Sequence, residues 1–325
     1  MQRKVSGLCL ILCAALYYNP AVRRWGALRS TSSYRGTVLI LAAAVLWGTM
    51  GIFVRSLGAY GFDSIQISAL RLCAAALCFL LLLAVRRWSR SRIRIRDIPL
   101  FLGLGVGSVG LMTCCYFAAI RMLTMSEAAI LLYTSPIWVM LMSALFFHER
   151  VTRRKLLALA LSVAGCALVS GIGGGQMQPL GIVVGVGSGI AYGLYSILGS
   201  VALRRYPPEA VSAYTFFIAA IAVLLISRPA ELVQKMAAAD GLAGLILLIL
   251  ATGAVTAFAP FLLYTLGLQA VQASHAAILA TVEPLVATVL GILVYHEQLR
   301  TATLLGIACI LGAILALNVG GKHAD

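Results

Sequence analysis

The stretch Tyr116–Pro136, YFAAIRMLTMSEAAILLYTSP, returns at Tyr264–Pro284 as YTLGLQAVQASHAAILATVEP, displaced by 148 positions. Tyr116, Ser126, Ala128, Ala129, Ile130, Leu131 and Pro136 map onto Tyr264, Ser274, Ala276, Ala277, Ile278, Leu279 and Pro284, and His148-Glu149 maps onto His296-Glu297. A chain that repeats itself within apolar segments must fold as two similar halves, a pattern found in membrane carriers. An earlier pair, Trp47-Gly48 and Tyr192-Gly193, matches at a shift of 145, which a three-residue length difference reconciles.

Hydrophobic residues form 62% of the chain and charged residues 11%, too apolar for one soluble core. The long uncharged runs have the length of membrane helices rather than the alternation of barrel strands. Taking about 20 residues per crossing predicts ten spans, near 37–57, 64–85, 98–119, 125–147, 152–172, 179–203, 209–227, 242–267, 274–294 and 299–319. The expected fold is therefore an all-α integral membrane protein with ten transmembrane helices in two five-helix repeats. Five is odd, so the second repeat is expected to enter the bilayer inverted relative to the first, the arrangement used for alternating access.

The net charge of +15 is explained by topology. With both termini cytoplasmic, 19 Lys and Arg fall on the cytoplasmic side and only Arg55, Arg121, Arg228, Lys235 and Arg300 opposite. That placement argues against nucleic acid as a partner. Of the eight cysteines, Cys73, Cys78, Cys114, Cys115, Cys166 and Cys309 fall inside predicted spans and read as small packing residues.

Three segments follow. Residues 1–35 form a basic and apolar extension whose run Val5–Tyr18 is short for a span. It reads as interfacial or dispensable, with an eleventh span as the alternative. Residues 36–173 carry the first repeat, and 174–325 the second with a short tail. Gly181, Gly185, Gly189 and Gly193 put a smooth stripe on span 6, suited to close helix packing or to a moving seam. Gly103-x-Gly105-x-Gly107 lies inside an apolar span with no strand before it, so it is not a nucleotide loop.

Leu46-Trp47-Gly48, Arg71-Leu72, Ser126-Glu127-Ala128-Ala129 leading to Ser135-Pro136, Val282-Glu283-Pro284 and His296-Glu297-Gln298 occur in that order. In this order the chain, over about Gly36–Val319, resembles the ten-helix EamA-type carriers of the drug/metabolite transporter superfamily. It departs from the frequent Glu-Pro pattern by carrying Ser135 before Pro136. The resemblance implies export or exchange of small organic solutes, often amino acids or related metabolites, with proton coupling in some members. It also implies a central cavity between the halves, with spans 5 and 10 more peripheral; the expected location is the inner membrane.

Two ionisable residues are predicted deep in the bilayer. Glu283 lies about nine residues into span 9, roughly 14 Å from one face, and Arg71 roughly 10 Å from the other. In a core ~30 Å thick their depths differ by about 6 Å. An ionised acid at that depth costs about 3 kcal/mol, so Glu283 should face protein or water. It is a candidate proton or solute-amine site, or an acid bonded across the Pro284 break. Arg71 could bind a carboxylate, hold Glu283 ionised, or serve as a structural anchor. Trp47, Trp138, Tyr192 and Tyr195 are candidate wall residues for an amphipathic solute. Tyr116 and Tyr264 sit nearer span ends, where interfacial anchoring is expected.

Glu127 and His275 open matched spans and are gate candidates, although Glu127 also suits a helix N-terminus. His148-Glu149 and His296-Glu297 lie on opposite faces and lack a following His, so turn roles are expected rather than a metal site. No cofactor is expected beyond a proton, and the expected partners are the lipid bilayer and a small solute; a homodimer is compatible with the chain. A secondary carrier, not an enzyme, is the favoured function. The rival readings are a polytopic enzyme acting on lipid and a receptor or channel. The enzyme would need clustered nucleophiles or ligands at one depth. A receptor or channel would need a sensor or filter.

Overall fold

The computed structural model of the chain describes residues 34–85, 93–170, 178–296 and 301–318. Most of the 1–35 extension, Glu297 and the tail lie outside these residues. Apolar chain in lipid must satisfy its backbone groups internally, and among the described residues it does so by helices, with no strand. Among the described residues, eight helices are long and apolar enough to cross a membrane.

They are α1 (Tyr34–Gly48, continued as Met50–Gly58), α2 (Ser64–Val85), α3 (Ile95–Met122) and α4 (Met125–Leu132 with Ser135–Phe147). After the helix α5 (Arg153–Ser170) come α6 (Pro179–Ala202), α7 (Pro208–Ile226), α8 (Leu242–Leu268) and α9 (Ala273–Leu279 with Val282–Tyr295). The apolar helix α10 (Thr301–Asn318) closes the described chain. Helices α5 and α10 pack along one another. A Cβ on Gly165 or on Gly306 would stand 2.8 Å from the other residue's carbonyl oxygen, so these backbones touch.

The sequence repeat reappears as matched irregularities of backbone. α3 contains a π-helical stretch at Gly103–Gly110 and α8 one at Ala254–Phe258; the 148-residue shift carries 106–110 onto 254–258. Helices α4 and α9 both end on a left-handed histidine, His148 at φ 55° and His296 at φ 54°. Both are also broken two to four residues before a proline. Pro136 and Pro284 offer no N–H to the preceding turn, and Thr134 and Thr281 bond the nearby Leu131 and Ile278 carbonyls at 2.6 Å. The sequence reads each as a single span and places a break at Pro284; in both helices the missing donor ends the ladder locally.

Helix pairs repeat as well. The Leu111–Met122 part of α3 packs on α6, and its counterpart, the Ala259–Leu268 part of α8, packs on α1. Every such pair joins the two halves, so they share one core. Phe79, Phe216 and Phe261 stack through it, with centroids 5.4 and 4.7 Å apart, and Trp47 meets Phe261 at 4.9 Å. Leu145, Leu225 and Leu247 are instead more than 60% exposed, an outward apolar surface suited to lipid. The glycine stripe of α6 lies against the first half. Added Cβ atoms at Gly181 and Gly185 would meet Leu123 and Leu131, and one at Gly189 the Leu131 carbonyl oxygen at 2.7 Å.

Polar contacts mark the two ends of the bundle. At one, buried Asp97 in the first turn of α3 accepts from Arg205 at 2.9 Å and Tyr206 at 2.6 Å, after α6. Burial pushes the Tyr206 hydroxyl above its ordinary value, which keeps it a donor. Arg204 covers the Phe147 ring there. At the other, Lys235 of the short helix Pro229–Ala237 bonds Gln66 at the start of α2, and Arg55 covers the Tyr295 ring.

Candidate functional site

Glu283 stands in the first turn after the break in α9, with a half-buried side chain. Tyr192 of α6 donates to its Oε2 at 3.4 Å. Tyr133, at the break in α4, lies beside the same carboxylate, and Arg71 of α2 is within its electrostatic reach. Tyr116 of α3 and Cys166 of α5 also feel its charge. Side chains from both repeats thus surround one acid.

Arg71 is 5% exposed. Its Nη1 donates to Met50 Sδ at 3.1 Å and to the Thr256 carbonyl at 3.4 Å, rather than to a carboxylate. Thr256 belongs to the π-helical stretch of α8, where the wider turn displaces carbonyls from the regular ladder. The Arg71 Nε has no partner in the structure. A buried guanidinium with a spare donor close to a half-buried carboxylate offers opposite charges to a solute carrying both.

Trp47 joins this group through ring contacts: Tyr192 at 6.4 Å, Tyr264 at 5.4 Å and Phe261 at 4.9 Å. The remaining wall candidates are committed elsewhere. Tyr195 is buried with its hydroxyl on Thr265 at 2.8 Å, and Trp138 Nε1 donates to Thr134 on its own helix at 3.1 Å. Tyr264, expected as an interfacial anchor, is 4% exposed and bonds Ser196 at 2.8 Å, because α8 packs on both α1 and α6 at that level. Its repeat partner Tyr116 is half-buried and lies within electrostatic reach of the acid.

Neither gate candidate lies among these side chains. Glu127 completes a capping box: Thr124 N–H donates to its carboxylate at 2.9 Å and Glu127 N–H to the Thr124 hydroxyl at 3.2 Å. Its other oxygen is buried without a partner. His275 lies near Lys155, with Nε2 likewise unpartnered. His148 ends a helix as the turn reading expects, whereas Glu149 has a wider role, bonding Lys155 of its own repeat and Ser274 of the other. No group of three metal-ligating side chains occurs among the described residues.

Sequence reasoning missed Tyr133 as a neighbour of Glu283. The signal was present: Tyr133 precedes Ser135-Pro136, the repeat counterpart of Glu283-Pro284, and the acid alone drew attention.

Comparison with known proteins is consistent across the chain. The profile of the EamA-like transporter family matches residues 34–171 and again 179–319. An uncharacterized transporter of Archaeoglobus fulgidus is 32% identical over 285 residues, 86% of this chain and 95% of its own. The uncharacterized transporter YwfM of Bacillus subtilis is 25% identical, covering 88% and 94%. A solved crystal structure superimposes with a TM-score of 0.74 at 19% identity, over 88% of this chain and 97% of the other, a likeness of fold.

Proposed function

The chain belongs to the EamA-like transporter family, and we propose that it is a secondary carrier exporting or exchanging a small organic solute, an amino acid or related metabolite, by alternating access. The observation that carries this reading is Glu283. It is a half-buried acid held by Tyr192, beside Tyr133 and near Arg71, where the two repeats meet. In this reading Arg71 takes the solute carboxylate, Glu283 takes an amine or a proton, and Trp47 with Tyr192 supplies an aromatic wall.

α5 and α10 cross the bilayer with the eight longer helices, making ten spans in two inverted repeats with both termini cytoplasmic in an inner membrane. The charge bias of the loops and the contacts that mark opposite ends of the bundle support this arrangement. A proton entering under 100 mV supplies about 2.3 kcal/mol, enough to drive uphill exchange if Glu283 titrates in the cycle.

The test is proton movement in proteoliposomes enclosing a pH-sensitive dye, with pooled amino acids, nucleosides or cationic drugs outside. A saturable signal from amino acids that vanishes in Glu283→Gln is expected. Isotope counterflow without a proton signal would reduce the reading to uncoupled exchange, and silence in both assays would reject it.

A further inference from the structure

Four polar side chains fasten the two repeats together at the end where Arg204 and Arg205 lie. Lys155 Nζ donates to Glu149 Oε2 at 3.3 Å, to Gln272 Oε1 at 2.7 Å and to Ser274 Oγ at 3.0 Å. Ser274 bonds Glu149 as well. Glu149 comes from the connection between α4 and α5, Lys155 from the first turn of α5, and Gln272 and Ser274 from the start of α9 in the other repeat. The Lys155 and Glu149 side chains are only 12% and 8% exposed, so the pair is sheltered from the screening that weakens surface ion pairs. Val139 and Phe147 of α4 form an apolar cluster with Ala273 and Ala277 of α9 across the same junction.

The repeat makes the other end a natural control. A shift of 148 carries Glu149, Gln272 and Ser274 onto Glu297, Thr124 and Ser126, but it carries Lys155 onto Thr303. The neighbouring cation–ring contact is kept in both places, with Arg204 5.3 Å from the Phe147 centroid and Arg55 3.9 Å from the Tyr295 centroid. Thr124, the counterpart of Gln272, caps its own helix through Glu127. The repeat therefore keeps the aromatic ring, Phe147 and Tyr295, and carries the lysine at one end only.

We infer that Lys155, Glu149, Gln272 and Ser274 form a one-sided polar latch that holds this mouth of the protein closed. The inference rests on the alternating-access reading above. Opening this mouth means separating α4 and α5 from the start of α9, which leaves a lysine and a glutamate to be solvated apart. His275 faces the same lysine from α9, while Arg150, Arg153 and Arg154 are exposed outside it. None of the four residues touches Glu283, so they act on the equilibrium between states and on turnover rather than on solute contact.

Hydrogen exchange of the full chain in lipid nanodiscs tests this, comparing wild type with Lys155→Met, and with Glu149→Gln should the first variant fail to fold. The expected result is reciprocal. Exchange over 272–279 rises on the order of tenfold, as for loss of a coupled pair, while exchange over 125–132 at the opposite end slows. In liposomes the variant should change maximal uptake of pooled amino acids more than half-saturation. Unchanged exchange over 272–279 would overturn the latch, and so would faster exchange at both ends, which marks a merely structural tie. Reciprocal exchange without uptake in the wild type would keep the latch and discard the solute assignment. Uptake with unchanged exchange would discard the latch alone.

Discussion

Glu283 owes its setting to the residue after it. Pro284 lacks an N–H, the helix breaks at Ala280–Thr281, and the acid falls on the first turn of a new segment facing Tyr192. Removing the Tyr192 hydroxyl removes one long bond to a carboxyl group, so Tyr192→Phe should raise the half-saturation concentration no more than about tenfold, measured by uptake in liposomes. Arg71 is more demanding because it already spends Nη1 on Met50 and Thr256. Lysine cannot present a planar fork, so Arg71→Lys should weaken uptake of zwitterionic solutes by roughly tenfold or more while sparing cationic ones. Equal uptake of both classes would remove Arg71 from solute binding.

Elements meet here through glycine. Gly253, one residue before the π stretch of α8, has so little space that a Cβ would collide with Ala74 Cβ and stand 2.9 Å from the Arg71 carbonyl oxygen. Gly253→Ala must push α8 off α2, costing about 1–3 kcal/mol as overpacking does and lowering the thermal midpoint in detergent. Gly51 on α1 has nothing within 4 Å, so Gly51→Ala should leave that midpoint unchanged or slightly raised. Similar shifts for both would mean that helix propensity, not contact, governs stability.

For the whole molecule, stability rests on ties between halves. Asp97 of the first repeat receives Arg205 and Tyr206 of the second. Asp97→Ala should destabilise by about 1–3 kcal/mol, read as earlier unfolding with the far end of the bundle little altered in hydrogen exchange. Orientation is testable separately. If the charge bias sets topology, alkaline phosphatase inserted within Pro229–Ala237 should be active and the same enzyme fused after Lys322 inactive. The reverse pattern would turn the protein over in the membrane.

The sequence by itself determined the helical class and the duplication. Uncharged runs of membrane length leave the backbone no other solution in lipid, and the repeat persists in matched π stretches and in the left-handed histidines 148 and 296. Glu283 and Arg71 were legible because charge is rare at depth. What the tertiary structure alone decided is direction. Tyr192 and Tyr195 lie one turn apart on α6, yet one reaches Glu283 and the other Thr265, because α9 and α8 approach different sides of that helix. Lys155 meets Gln272 across 117 positions of chain, a contact fixed by how two repeats pack. Periodicity reports which face of a helix is apolar, and only packing says which neighbour that face meets.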